Sequence, residues 1–168
     1  MLKFGLVTLG CDKNTVDSER YLADLVAHGG EQVTDLRDAD VVVVNTCGFI
    51  DAAKAESIEA IVAAARLKDD GKCQAVFAIG CMVERHKSEL EEALPEVDVF
   101  LGTSETDRLI PELVARGLLG GSLVEHPGVR LFGGDLPHVR YLKISEGCDH
   151  GCAFCAIPLM RGKHRSFA

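Results

Sequence analysis

Four consecutive valines, Val41-Val42-Val43-Val44, follow Asp40 and lead into Asn45-Thr46-Cys47. Successive side chains of a strand point to opposite faces, so an apolar run without polar alternation must be buried on both. Strands of that kind belong inside parallel sheets covered by helices on both sides. The rest of the first 117 residues agrees. Apolar runs at 3–9, 73–79 and 97–101, with a short edge segment at 32–34, alternate with helical patterns at 15–28, 51–68 and 83–94. Alternation of this kind defines an α/β domain with a parallel sheet. Five strands with an early edge strand fit the flavodoxin-like order 2-1-3-4-5.

Local signals set the expected helix limits. Asn14 or Thr15 is placed to cap the first helix, Leu22, Leu25 and Val26 form its apolar stripe, and Gly29-Gly30 stops it. In the second, Ile58, Ile61, Val62 and Ala65 recur at helical spacing before Asp69-Asp70-Gly71 breaks it. Pro95 closes the third. Ser104-x-x-Asp107 resembles a capping box, and a turn over 104–109 is expected to precede a helix starting near Ile110, with Pro111 at its first position and Gly117 at its end. Residues 117–137 hold six glycines and two prolines, and 118–137 reads as a linker. A new strand is expected from Val139 to Ser145, opening a second unit over 138–168.

Three of the seven cysteines share one context. Cys11 follows Leu9-Gly10, Cys47 follows Asn45-Thr46, and Cys81 follows Ile79-Gly80, each just beyond the carboxyl end of an expected strand. In an open α/β sheet those ends lie on one edge, where ligands bind. The order 2-1-3-4-5 makes the three bearing strands neighbours, so the thiols should converge. Helix N-termini following them would lower thiol pKa values and favour ligation. Three merely buried loop thiols are the alternative. Cys73 opens a strand at the opposite edge and receives no ligand role.

A second thiol set lies within eight residues. Cys148, Cys152 and Cys155 have the spacing C-x3-C-x2-C, in a loop with Gly147 and Gly151. Thiolates so close can face one soft metal centre, and three leave a coordination position open. Structural zinc with His150 or His164 as fourth ligand is the alternative. Zinc sites usually add a second paired knuckle, and nothing beyond Cys155 supplies one, which favours an iron–sulfur cluster.

Composition narrows the class. Apolar residues make up 47% of the 168, enough for a sizeable core, and no run reaches the length of a membrane span. The N-terminus lacks a signal-peptide pattern, so the expected setting is the cytoplasm, where an odd number of cysteines fits ligands or free thiols better than disulfides. Residues 1–137 carry 13 Lys or Arg against 24 Asp or Glu, while 138–168 carry 5 against 2. An acidic body disfavours nucleic acid and suits a basic protein partner.

With both thiol sets placed, the chain resembles the methylthiotransferases, a family of radical S-adenosylmethionine enzymes. Within it the likeness is to the ribosomal-protein aspartate methylthiotransferases of the RimO type. The resemblance rests on the segments Leu9–Glu19, Asn45-Thr46-Cys47-Gly48-Phe49-Ile50, Gly80-Cys81, Tyr141–Cys148 and Ile157-Pro158-Leu159-Met160-Arg161-Gly162. Lys13-Asn14 and Gly48-Phe49-Ile50 separate it from the sister group that modifies adenosine in tRNA. A tRNA enzyme, or a non-catalytic metal-binding module, is the alternative.

The resemblance implies two 4Fe–4S clusters. Cys148, Cys152 and Cys155 would hold the one that cleaves S-adenosylmethionine to a 5′-deoxyadenosyl radical, with Phe154 lining the adenine pocket or serving packing. Cys11, Cys47 and Cys81 would hold an auxiliary cluster carrying the sulfur to be transferred. The implied substrate is the unactivated β-carbon of an aspartate in a small-subunit ribosomal protein, and the implied helper is an electron-donor protein. A radical-enzyme barrel needs further strand–helix units after the three-cysteine loop, so this chain is expected to be a truncated piece, inactive alone.

Overall fold

The computed structural model describes residues 1–69, 72–120, 129–132 and 138–167. The expected linker falls largely on 121–128 and 133–137, outside the described residues. Strands β1 (Lys3–Thr8), β2 (Glu31–Gln32), β3 (Val41–Thr46), β4 (Ala75–Gly80) and β5 (Val99–Leu101) form a parallel sheet in the order β2-β1-β3-β4-β5. This is the expected flavodoxin-like arrangement.

The valine run shows why. Val41 and Val43 enter one apolar layer with Phe4, Leu22, Leu25, Phe77, Leu109 and Leu113. Val42 and Val44 enter the other, with Ile61, Val76, Ala78, Val83 and Leu90. Helices α1 (Asp12–Ala27) and α4 (Leu109–Ala115) cover the first face, and α2 (Asp51–Arg66) and α3 (Cys81–Ala93) the second. All four valines are fully buried, each stabilising the sheet by roughly 1.5–3 kcal/mol over an exposed side chain.

Several local expectations shift. Helix α1 begins three residues early, with Cys11 as its N-cap, and Asn14 is drawn inside the protein instead of capping. Val26 is exposed, so the buried stripe runs through Val16, Tyr21, Leu22 and Leu25. On α2 the inner face is Ser57, Ile61, Ala64 and Ala65, and Ile58 faces solvent. Burial against the sheet, rather than hydrophobicity alone, chose that face. The capping box does not form: Ser104 bonds the Glu84 carboxylate through its backbone N–H (3.0 Å) and its hydroxyl. Helix α4 begins at Leu109, which makes Pro111 its third residue, still within the turn whose N–H groups lack intrahelical partners. Gly29 and Gly117 end their helices with φ of 83° and 72°.

The strand expected over Val139–Ser145 forms only as β6 (Ser145–Glu146), paired antiparallel with β7 (Arg165–Ser166). A strand needs a neighbour for its backbone groups and a cover for its apolar side. Leu142 and Ile144 find no cover among the described residues and are 81% and 67% exposed. Between β6 and β7 lie the three-cysteine loop and the short helix α5 (Ile157–Arg161).

Candidate metal centre

The register of the sheet puts three loops side by side. Thr8 pairs with Asn45 and Thr46 with Gly80, so β1, β3 and β4 end level. Gly10 has φ 95° and Gly80 φ 102°, the left-handed region that glycine enters without penalty. Space is equally tight. A Cβ at Gly10 would lie 2.6 Å from the Cβ of Cys47 and 2.8 Å from its Sγ. A Cβ at Gly48 would lie 2.8 Å from the Cα of Met82, the residue after Cys81. The glycines beside Cys11 and Cys47 thus let each cysteine loop touch the next, and the three cysteines converge on one sheet edge as expected.

Cys47 and Cys81 are buried and Cys11 is exposed. The Cys47 loop is stapled to α2: its N–H donates to Ser57 Oγ (3.0 Å), and that hydroxyl donates to Cys47 O (2.9 Å). Thr46 Oγ1 donates to Ile79 O (2.6 Å), tying β3 to β4 just before their cysteines. Burial pushes the Cys81 thiol up to about 11; Arg161 opposes the rise, and Cys47 and Cys11 add to it. This corrects the expectation of a thiol made acidic by its helix N-terminus, because desolvation outweighs the helix end here. Cys73 lies before β4, buried, its thiol donating to Ala75 O at 3.4 Å.

Asn14 is the polar centre of this edge. Its amide donates to Leu9 O (2.7 Å) and Thr46 O (3.0 Å), carbonyls that precede Cys11 and Cys47 by two residues and one. The Cys81 thiol donates to Asn14 Oδ1 at 3.6 Å. Asn45 in turn donates to Asn14 O (3.1 Å) and Ser18 Oγ (3.0 Å). The sequence marked Asn14 as a candidate helix cap and as a letter that separates subgroups; no spacing rule marks an asparagine in a helix's first turn as buried.

The three-cysteine loop lies against the same edge. Cys148 N–H donates to Gly162 O and Cys155 N–H to Cys152 O, both at 3.1 Å. Gly147, at φ 72°, packs directly on the Gly162 and Lys163 backbone. Behind the loop, Arg161 bonds Asp17 Oδ2 (2.5 Å) and Asn14 Oδ1, with Glu146 Oε2 at 3.4 Å. Lys143 bonds Asp17 Oδ1 (2.7 Å) and pairs with Glu146. The Arg161 and Lys143 side chains are only 6% and 7% exposed. Burial opposes the Arg161 charge, yet Asp17, Cys81 and Glu146 bind its proton more firmly than in a free arginine. Thr103 Oγ1 donates to Met160 O (2.5 Å), a further tie from the sheet domain to α5. Sequence reasoning missed Arg161, Lys143, Asp17 and Glu146 as a set, since Asp17, which joins Lys143 and Arg161, lies 126 and 144 residues from them along the chain.

Phe154 is 90% exposed and fills no core. With Cys155 and Leu159 it lines a cavity of about 430 Å³ whose other wall is Phe49, Ile50 and Arg85, residues that follow Cys47 and Cys81 in the chain. Among the described residues no three His, Cys, Asp or Glu side chains stand close enough to hold a single ion. An iron–sulfur cluster asks for a different arrangement, because each thiolate binds its own iron and the ligands stand further apart. Three cysteines on separate strand-end loops, which glycines without a Cβ let pack together, fit that demand. The donor set, all sulfur, fits it chemically.

The fold and site define a flavodoxin-like α/β domain that gathers three cysteines at its carboxyl edge beside a three-cysteine loop. The chain belongs to the family described as "Uncharacterized protein family UPF0004", which matches residues 3–102. It is also similar to proteins named ribosomal protein uS12 methylthiotransferase RimO. The one from Symbiobacterium thermophilum is 46% identical, over 98% of this chain and 36% of that protein. Those from Chloroherpeton thalassium and Flavobacterium johnsoniae are 47% and 44% identical over 98% of this chain, and 36% and 37% of their own lengths. The resemblance drawn from the motifs is borne out. The chain spans a little over a third of the length of these relatives.

Proposed function

We propose that the chain forms the two-cluster part of a methylthiotransferase that modifies an aspartate of ribosomal protein uS12 at its β-carbon. Cys11, Cys47 and Cys81 hold one 4Fe–4S cluster, and Cys148, Cys152 and Cys155 hold the other. When bound, the second supplies the electron that splits S-adenosylmethionine, and the first carries the sulfur group. The carrying observation is the contact of the three strand-end cysteine loops at the edge where the C-x3-C-x2-C loop is also anchored. The names of the relatives supply the substrate.

The protein's own residues have definable tasks. Glycines 10, 48 and 80 keep the loops close, Ser57 and Asn14 satisfy their backbone groups, and Phe154 offers an apolar face beside Cys155 for the adenine of S-adenosylmethionine. Residues 1–117 are the α/β domain, 118–137 the linker and 138–168 the beginning of the radical-enzyme region. Turnover requires the remainder of the enzyme, an electron-donor protein and a basic protein substrate, in the cytoplasm, with neither nucleic acid nor membrane as target. No helix among the described residues is long and apolar enough to cross a membrane.

Anaerobic reconstitution with iron and sulfide tests the cluster reading: about eight irons per chain are expected, halved by Cys148→Ala. One equivalent of zinc bound in preference to iron, with mixed thiolate and imidazole ligation, would overturn it. The substrate reading is tested in the complete enzyme, offered both uS12 and tRNA with S-adenosylmethionine and reductant. A methylthio mass increment on tRNA adenosine alone reverses it.

A further inference from the structure

Two features set Arg161 apart from an ordinary buried arginine. It stands six residues after Cys155, at the end of the helix that follows the three-cysteine loop, yet its partners Asp17 and Asn14 belong to α1. Asn14 is also the one side chain among the described residues whose hydrogen bonds reach all three cysteine loops of the sheet edge. A single guanidinium therefore connects the segment bearing one thiol set to the group that spaces the other. Its planar fork suits this task, because it can donate to two acceptors in fixed directions.

We infer that Arg161, acting through Asn14, is a positioning residue that sets the separation of the two thiol sets. This rests on the cluster reading above. Three features support a positioning task. The bond to Asn14 Oδ1 leaves the Asn14 amide free to donate to Leu9 O and Thr46 O, so one side chain faces both regions without conflict. The ion set is buried, with Lys143 and Glu146 completing it, so it holds a fixed geometry where an exposed pair would fluctuate. Cys155 and Leu159 share the walls of one cavity with Phe49, Ile50 and Arg85, which follow Cys47 and Cys81 in the chain, so a small shift of α5 changes the distance across it. Transfer between two centres depends steeply on such geometry.

The test uses this chain, reconstituted anaerobically with iron and sulfide and reduced with dithionite. Electron paramagnetic resonance of the wild type should show spin–spin splitting between two clusters held at a fixed separation. Arg161→Met should keep the full iron and sulfide content and lose the splitting. Arg161→Lys, which retains a cation beside Asp17, should restore it in part. Lys68→Met, which removes the Lys68–Asp98 pair (2.8 Å) at the opposite edge of the sheet, should leave the splitting unchanged. If Arg161→Met does not fold, Arg161→Gln carries the same expectation. Splitting that persists in the folded, fully loaded uncharged variant overturns the proposal alone, as does a doubly loaded wild type without splitting. A wild type that takes up no iron overturns the cluster reading and this proposal together.

Discussion

The two thiol regions are built in opposite ways. Cys11, Cys47 and Cys81 are scattered over the first 81 residues and meet only because β1, β3 and β4 are neighbours that end level. Cys148, Cys152 and Cys155 are close by sequence alone, in a loop whose own regular structure is one two-residue strand pair and a five-residue helix. The first region takes its rigidity from a sheet buried on both faces. The second borrows its rigidity from the first, through Arg161, Lys143 and the Thr103–Met160 bond. A site made by topology should fail with the whole domain, and a site made by spacing should come loose by itself.

The largest expected effect breaks the first region. Phe77 is fully buried at the centre of β4, and Phe77→Ala should cost about 3–5 kcal/mol, read as a lower urea midpoint. Iron uptake at both thiol sets should fall together, because the second set loses its support. A loss confined to the Cys148 set would contradict the dependence argued above.

Next, Lys143→Met leaves Asp17 and Glu146 short of a counter-charge. About 3 kcal/mol of local protection should disappear. Hydrogen exchange should then be about a hundredfold faster at Cys148, Met160 and Phe167, whose N–H groups bond Gly162, Ala156 and Ile144, with β3 and β4 unchanged. Equal acceleration in the sheet would mean that the regions open as one unit.

Gly10→Ala combines an unfavourable left-handed backbone with collision against Cys47, about 2–4 kcal/mol together. It should displace Cys47 and lower iron at the first set while sparing the second. Ser57→Ala is milder. It leaves the Cys47 N–H and C=O without partners, costing about 1–3 kcal/mol by chemical denaturation.

The smallest effect lies away from both regions and serves as a baseline. Hydrogen bonds from Arg37 hold the Asp35 carboxyl down at about 2. A lowered carboxyl stabilises the fold above its unfolded value of about 4, and that contribution is lost as pH falls through about 2. Titration of Asp35 by NMR should give that midpoint, and Arg37→Ala should return it to the ordinary carboxylate range. Neither change should alter iron uptake.

Much of this was legible without the fold. The valine run required a doubly covered parallel sheet, the glycines marked the helix ends at Gly29 and Gly117, and the cysteine spacings singled out both thiol sets. Each signal is local: periodicity, a conformational preference, or residues close along the chain. Where local signals failed, another part of the molecule decided. Val26 and Ile58 are apolar and correctly spaced yet face solvent, because the sheet surface selects which side of a helix is covered. The strand expected from Val139 shrank to two residues for want of a neighbour. Burial raised the Cys81 thiol where its position at the start of a helix suggested the reverse.

The amino-acid sequence by itself therefore determined the layered α/β domain and the identity of six candidate ligands, since patterning and spacing are written along the chain. The tertiary structure alone decided how the two sets are joined. Asn14 and Arg161 are 147 residues apart, and nothing in either segment announces the other. Their pairing exists because α1 begins early enough to bury Asn14 beneath the cysteine loops, and because α5 delivers a planar cation to that same point. Contacts between distant charged and amide groups depend on where whole elements pack, and packing is a property of the assembled core.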